Sequence, residues 1–545
     1  MITHREIFQD GAGNVVADAL VYVYVRGTSQ ATEAQLYTTA DVAQTQPLTT
    51  DSAGAVEFRI ADGVYDLVVS KTGHDTQTYE DIQIYSGSPY VFDVMDYGAT
   101  GDGTTDDAGA IQDTIDACEA AGGGVVLIPE GTYSVSGTMI TIPGNTVLRG
   151  DKATLKLAAG SYSENVYILG TREDPAYNAG LGWEDNITIE GLVIDGNDAN
   201  VSFTLATYGC SGIQGHQVTN FTVRDCTLKE IPGEETGYGV SAWYSDGVSI
   251  ENCDIDRTPR QNVLIWETTR AVVNGCRLQD SYFRGCVLVS TMSPKSYQES
   301  HAMISNCNIH NALAGGSGVN RGVRFSGESG GQVRGCKIAA TDEGIYVIDD
   351  YSKDVIISDC EIYDCTYGLY IDVDTNPWKV SVTGCSIHGC SLDGVRAVSG
   401  PGSLIVNGCQ VQGTTNYPVY TSAVDHAAVT GCILDGGNAV ILDPGETAVF
   451  SDNVVTGMAN ASYAVFVNDT SSGLLSYAGN MLSGNTADKP RIEIGGHVDI
   501  SGAGTPEGAV IAQIGATFRR TDGGAGTSFY VKEANADATG WSPVS

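Results

Sequence analysis

The feature that most constrains this chain is a cysteine that returns at a nearly fixed interval. Cys226, Cys253, Cys276, Cys307, Cys336, Cys360, Cys385, Cys409 and Cys432 are separated by 23 to 31 residues. Each sits in the same phrase, as in Ile250-Glu-Asn-Cys-Asp-Ile, Ile304-Ser-Asn-Cys-Asn-Ile and Val382-Thr-Gly-Cys-Ser-Ile. The phrase reads as a short strand, a tight polar turn and a second short strand. A period in the twenties with strand-type alternation predicts a solenoid with one coil per repeat. Gly, Asn and β-branched residues dominate the phrase and disfavour helix. No CxxC pair and no histidine at ligand spacing accompanies the cysteines, so zinc is not indicated. A small residue recurring at one phase of a coil is expected to be a reduced, buried thiol stacked on its own repeats.

Composition sets outer limits. Hydrophobic residues make up 42% of the 545, enough for a large core. No run of 18 apolar residues occurs, so no membrane-spanning helix is expected. The first residues, Met1-Ile-Thr-His-Arg-Glu-Ile-Phe8, lack the apolar stretch of a secretory signal. The 66 acidic residues against 28 basic ones give a net charge of −38, which would repel a phosphate backbone and argues against nucleic acid as a partner. Lysine supplies only ten of the basic residues. That imbalance suggests a protein adapted to high salt, where screening relieves self-repulsion.

Before the repeats, Phe92-Asp-Val-Met-Asp-Tyr-Gly-Ala-Thr-Gly-Asp-Gly-Thr-Thr-Asp-Asp107 is followed by Ala110-Ile-Gln-Asp-Thr-Ile-Asp-Ala-Cys118 and Gly122-Gly-Gly-Val-Val-Leu-Ile-Pro-Glu-Gly-Thr-Tyr133. These sixty or so residues resemble the opening segment of pectate-lyase-like right-handed β-helices, carried by many phage tailspikes and polysaccharide enzymes. Asp106 or Asp107 is expected to cap a helix with Ile111, Ile115 and Cys118 on one face, ended by Gly122 to Gly124. Such a helix would close the open end of the solenoid.

Three domains are expected. Residues 1–88 alternate at period two, as in Ala19-Leu-Val-Tyr-Val-Tyr-Val25, and resemble a transthyretin-like or carboxypeptidase-regulatory β-sandwich. Residues 89–485 form the parallel β-helix. Residues 486–545 resemble a small C-terminal β module of viral tail fibres and tailspikes, where it sits in a trimer. The expected fold is therefore all-β. The resemblance implies a homotrimeric spike or fibre on a tail or capsid surface, outside the host cell, held to other virion proteins by its N-terminal domain and binding a host surface glycan. With the acidic composition it suggests a virus of a salt-loving host such as an archaeon. The competing expectations are a structural or receptor-binding virion protein without catalysis, and a microbial polysaccharide lyase or hydrolase. No cofactor, metal site or membrane insertion is indicated.

Four segments that begin with glycine align coil on coil: Gly322-Val-Arg-Phe-Ser-Gly-Glu328, Gly344-Ile-Tyr-Val-Ile-Asp-Asp350, Gly368-Leu-Tyr-Ile-Asp-Val-Asp374 and Gly394-Val-Arg-Ala-Val-Ser-Gly400. Alternation puts Val323, Phe325, Ile345, Val347, Leu369, Ile371, Val395 and Ala397 inside. Arg324, Tyr346, Tyr370 and Arg396 then form one outward column, and Glu328, Asp350 and Asp374 a second, with Asp372 between them. Trp243 and Trp266 share the outward parity in earlier coils. Aromatic faces stack on sugar rings, and Arg and carboxylates hold hydroxyl or acidic groups, so this face is the candidate glycan site. Glu328, Asp350 and Asp374 are the candidate catalytic acids. With coils about 4.8 Å apart, Asp350 and Asp374 suit the separation of retaining glycosidases, about 5 Å. Glu328 and Asp374 approach the inverting separation, about 6.5–9.5 Å.

Overall fold

In a computed structural model the chain divides into two compact units, Met1–Val91 and Phe92–Ser545. The structure describes residues 2–544 except 9–14, 26–32, 38–42, 53, 61–62, 75, 85–90, 172–182, 234–235, 283–284, 291–300, 312–318, 328–329, 349–353, 375–376, 461, 470–473, 488–489, 495–498, 503–504, 508–509, 511–516, 521–528 and 535–538.

In the first unit, alternation produces two antiparallel sheets of four strands. Leu20–Val25 pairs antiparallel with Gly63–Ser70, and Ile2–Ile7 with Ala55–Ile60. Val21, Val23, Leu36, Phe58, Ile60 and Leu67 point into one apolar core.

The second unit is a right-handed parallel β-helix of about 13 turns. Each coil contributes a strand to each of three stacked faces. One face runs from Val166–Thr171 through Cys210–His216, Tyr238–Trp243, Gln261–Trp266 and Val287–Ser290. It continues through Arg321–Ser326, Glu343–Ile348, Tyr367–Asp372 and Val395–Val398 to the first halves of Val419–Thr430 and Val440–Ser451. This is the site sheet. Parallel pairing continues beyond residue 485, with Pro490–Ile494 on Val465–Asp469 and Asp499–Gly502 on Leu474–Ala478. Thr517–Arg520 adds in parallel to Asp499–Gly502, and Phe529–Lys532 and Trp541–Pro543 then follow antiparallel in the same sheet.

The cysteine phrase has a conformational cause. The residue before each of the nine cysteines has left-handed backbone, from Asn252 at φ 52° to Gly275 at φ 67°. Asn, Asp and Gly tolerate that region best, which is why they alone fill it. The turn aims each thiol inward, where it contacts a carbonyl of the preceding coil, as Cys360 does with Val333 O at 3.7 Å. All 14 cysteines are free and buried. Beyond Cys432 the same place is taken by Asn453 and then Asn480, whose Nδ2 atoms donate to Val429 O and Phe450 O.

The helix forms as Ala108–Ala120, with Ile111, Ile115 and Cys118 fully buried in the solenoid core. The two aspartates divide the work at its start. Asp106 Oδ1 accepts from Ala108 N at 3.2 Å. Asp107 occupies the cap position without capping. Its carboxylate turns to the preceding loop and accepts from Thr100 N at 2.7 Å and Gly101 N at 3.2 Å. Gly123 N returns to Cys118 O and ends the helix.

Candidate functional site

The register of the site sheet fixes which side chains stack. Leu264, Leu288, Arg324, Tyr346, Tyr370, Arg396 and Tyr420 are partners in successive coils. Inward neighbours such as Val323, Phe325, Ile345, Val347, Leu369, Ile371, Val395 and Ala397 are buried in the core. The column Arg324–Tyr346–Tyr370–Arg396 thus exists as alternation requires, and Tyr420 extends it.

The glycines that open these strands have a steric cause. A Cβ on Gly322, Gly344 or Gly368 would lie 2.4–2.6 Å from the glycine carbonyl of the next coil and as close to an isoleucine methyl inside. The residue before each glycine makes up a second outward column: Arg321, Glu343 and Tyr367 are partners in register. Asp393 precedes Gly394, and Gly368 N donates to Asp393 O. This column was not foreseen from the sequence. Its signal is there, in Arg321-Gly-Val-Arg324, Glu343-Gly-Ile-Tyr346, Tyr367-Gly-Leu-Tyr370 and Asp393-Gly-Val-Arg396, where both ends of each tetrad face outward.

The two columns interlock. Arg321 Nε lies 2.6 Å from Glu343 Oε2, and the Arg321 guanidinium lies 4.5 Å from the Tyr346 ring centre. Arg396 Nη1 donates to Asp393 Oδ2 at 2.8 Å, and its guanidinium stands 4.6 Å from Tyr420 and 5.8 Å from Tyr370. Tyr346 and Tyr370 are 5.4 Å apart, and Tyr367 and Tyr370 5.1 Å. Such cation–aromatic contacts strengthen where water is excluded. Burial pushes the Glu343 carboxyl up, against the attraction of Arg321. Burial pushes the Tyr346 and Tyr370 phenols up as well, and the charge of Asp372 adds to both.

The remaining sequence candidates separate. Asp372 is half-buried, in register with Ile348 and Val398. Burial raises its pKa first and the neighbouring charge of Asp374 second. Asp374 is exposed. Glu328 and Asp350 lie outside the described residues. Trp243 and Trp266 are in register with each other, 5.5 Å apart, but they belong to the column of Ser290, Ser326, Ile348 and Asp372. They therefore stand two residues along the strand from the tyrosine column, on the same face. Among the described residues no cluster of three or more His, Cys, Asp or Glu side chains could hold a metal ion.

Residues 91–317 match the family described as rhamnogalacturonase A/epimerase, pectate lyase-like, and residues 321–487 match the right handed beta helix region. Mannuronan C5-epimerase AlgE3 of Azotobacter vinelandii is 33% identical over 165 residues, 27% of this chain and 8% of that protein. The preneck appendage protein of Bacillus phage PZA is 30% identical over 228 residues, 36% of this chain and 25% of that protein. The chain thus spans a quarter or less of the length of these curated relatives. The tailspike protein of E. coli bacteriophage HK620, solved in complex with a pentasaccharide, aligns with a TM-score of 0.50 at 14% identity, over 73% of this chain and 76% of that one. The family matches and the tailspike likeness agree with the coordinates on one point, the right-handed parallel β-helix.

Proposed function

We propose that this chain is a surface protein of a virus particle that holds a host polysaccharide along the site sheet. The observation that carries the reading is the continuous column Arg324–Tyr346–Tyr370–Arg396–Tyr420, which runs along the solenoid axis in five successive coils. Five coils at about 4.8 Å offer a straight track of about 19 Å between the first and last side chains, suited to a chain of sugars rather than to a single small molecule. The half-exposed rings of Tyr370 and Tyr420 present apolar faces to the C–H faces of sugars, Tyr346 is buried with the Arg321 guanidinium against its ring, and the guanidinium groups supply donors at fixed positions. Arg321 and Arg396 already face Glu343 and Asp393, so the column is nearly balanced in charge and stacking carries most of the recognition.

Two likenesses support the reading: the phage appendage protein in sequence and the pentasaccharide-bound tailspike in fold. In this reading the Met1–Val91 unit, with a core of its own, joins the chain to other virion proteins, and the chain works as a homotrimer. The test incubates the purified protein, in high salt, with envelope polysaccharides of candidate hosts. Binding, polymer length, new reducing ends and unsaturated ends are followed for wild type, Tyr370→Ala and Asp374→Asn. Binding that falls at least tenfold in Tyr370→Ala supports the reading, and unchanged binding overturns it. Shortening that is lost in Asp374→Asn would add hydrolysis by the acids chosen from the sequence. Polymer that is bound and left intact would leave a receptor-binding protein.

A further inference from the structure

The site sheet goes on past the tyrosine column, and its outward residues fall into an alternating order. Tyr370, Arg396, Tyr420, Ile441 and Phe466 are partners in register over five successive coils. Each belongs to a tetrad of one form: Tyr367-Gly-Leu-Tyr370, Asp393-Gly-Val-Arg396, Tyr417-Pro-Val-Tyr420, Asn438-Ala-Val-Ile441 and Tyr463-Ala-Val-Phe466. The third residue of each, Leu369, Val395, Val419, Val440 or Val465, is buried in the core. The first, third and fifth tetrads carry an aromatic residue at both ends. The second and fourth carry none.

In a regular strand, residues three apart stand about 10 Å from each other and on opposite faces. Here the two ends of each aromatic tetrad meet. Ring centres are 5.1 Å apart for Tyr367 and Tyr370, 5.2 Å for Tyr417 and Tyr420, and 5.4 Å for Tyr463 and Phe466, with tilts of 33°, 31° and 37°. All six rings are half-exposed. The same platform is thus built three times, at every second coil, with steps of about 10 Å. The coils between are balanced in charge. Arg396 Nη1 is paired with Asp393 Oδ2 at 2.8 Å, Asn438 Nδ2 donates to Asn416 Oδ1 at 3.0 Å, and Ile441 is buried.

A sugar residue in a flat polysaccharide ribbon advances about as far as one coil does. Successive residues of such a ribbon are turned over by half a turn, so the same sugar face recurs at every second residue. Platforms at every second coil match that recurrence, and half-exposed rings supply the apolar surface on which a sugar face packs. A net charge of −38 favours an uncharged polymer over an anionic one. We propose that the site sheet takes an uncharged polymer of flat two-fold ribbon form, whose every second sugar packs on Tyr367 with Tyr370, on Tyr417 with Tyr420, and on Tyr463 with Phe466. The proposal rests on the polysaccharide reading above. It lengthens the track by two coils beyond Tyr420 and names the form of the polymer.

Cello-oligosaccharides of two to eight residues, which form a flat ribbon, are the probes, and malto-oligosaccharides of the same lengths, which coil, are compared with them. Affinity is measured by calorimetry for wild type, Tyr420→Ala, Tyr463→Ala and Tyr463→Phe, with Tyr363→Ala, on another face of the solenoid, as the control. A ribbon of three residues reaches two platforms, and one of five reaches three. Wild-type affinity should therefore rise at least fivefold from two to three residues and again from four to five, and little from three to four. Tyr463→Ala should erase the step at five and keep the step at three, while Tyr463→Phe restores both. Tyr420→Ala should erase the step at three. The length profile separates lost stacking from lost folding, because a misfolded variant loses every step. Affinity that climbs evenly with each residue, malto-oligosaccharides that bind as tightly as cello-oligosaccharides, or wild type that binds neither series overturns the ribbon. Host polysaccharide that is held by wild type, weakened in Tyr370→Ala and unchanged in Tyr463→Ala overturns it too and leaves the column standing. Host polysaccharide held equally by wild type and Tyr370→Ala sinks the column and this proposal with it.

Discussion

Arg321 and Glu343 face each other across adjacent coils, Nε 2.6 Å from Oε2, with only 13% and 8% of their side chains exposed. Glu343 has its pKa raised above the ordinary 4.5 because burial outweighs the attraction of the arginine. Folding therefore favours its protonated form. The stability it contributes is full below pH 4.5 and is lost as pH rises through the raised value. Urea unfolding of wild type and Glu343→Gln from about pH 4 to 7 should show the wild type losing stability relative to the variant as pH rises. Parallel profiles would contradict this.

Glu190 should behave with the opposite sign. Burial raises its pKa, but hydrogen bonds from Arg149 at 2.5 Å and Arg224 at 2.7 Å overcome that and hold it below the usual range. Its contribution is present above the ordinary glutamate value and disappears as pH falls through the lowered one. Glu190→Gln is expected to destabilise at neutral pH and to lose that deficit at acid pH, below the lowered value. Unfolding midpoints at the two pH values check it.

The thiol stack should be inert and size-limited. Each Sγ of the repeat is enclosed and touches backbone carbonyls, as Cys360 does with Ser358 O at 3.2 Å. A thiol reagent should leave the native protein unlabelled and react with 14 thiols after denaturation. Cys360→Ala should cost about 1 kcal/mol, the scale of a small deletion in a packed core. Cys360→Leu should cost more, about 1–3 kcal/mol, because the coil spacing cannot widen locally.

Two glycines with different reasons should respond differently. A Cβ on Gly368 would lie 2.5 Å from Ile387 Cγ2 and 2.6 Å from Gly394 O. Gly368→Ala should therefore destabilise by about 1–3 kcal/mol or more. Gly408 has φ 60° and open space around its missing Cβ. Gly408→Asn should stay within about 1 kcal/mol, since asparagine tolerates that backbone. Unfolding midpoints of both variants, compared with wild type, decide the matter.

Net charge should show in salt dependence. At −38 the folded chain repels itself, and salt screens that repulsion within about 10 Å at 0.1 M and about 3 Å at 1 M. The melting temperature should climb as sodium chloride rises from about 0.1 to 2 M. A flat response would remove the case for adaptation to high salt.

The solenoid was legible because its causes are local. A left-handed turn admits Asn, Asp or Gly, the thiol after it fits between coils, and alternation sends residues such as Ile345 and Val347 inward. Those rules repeat in every coil, so the sequence by itself determined the fold, the tyrosine column and the inward set. Three things were decided only by tertiary structure. Trp243 and Trp266 were placed beside the tyrosine column rather than in it, because register depends on how the loops between coils close. Glu343 was buried against Arg321, one coil away, by packing that no local pattern records. The ring pairs Tyr417–Tyr420 and Tyr463–Phe466 emerged only once side chains were placed, since a regular strand would hold residues three apart about 10 Å from each other and on opposite faces.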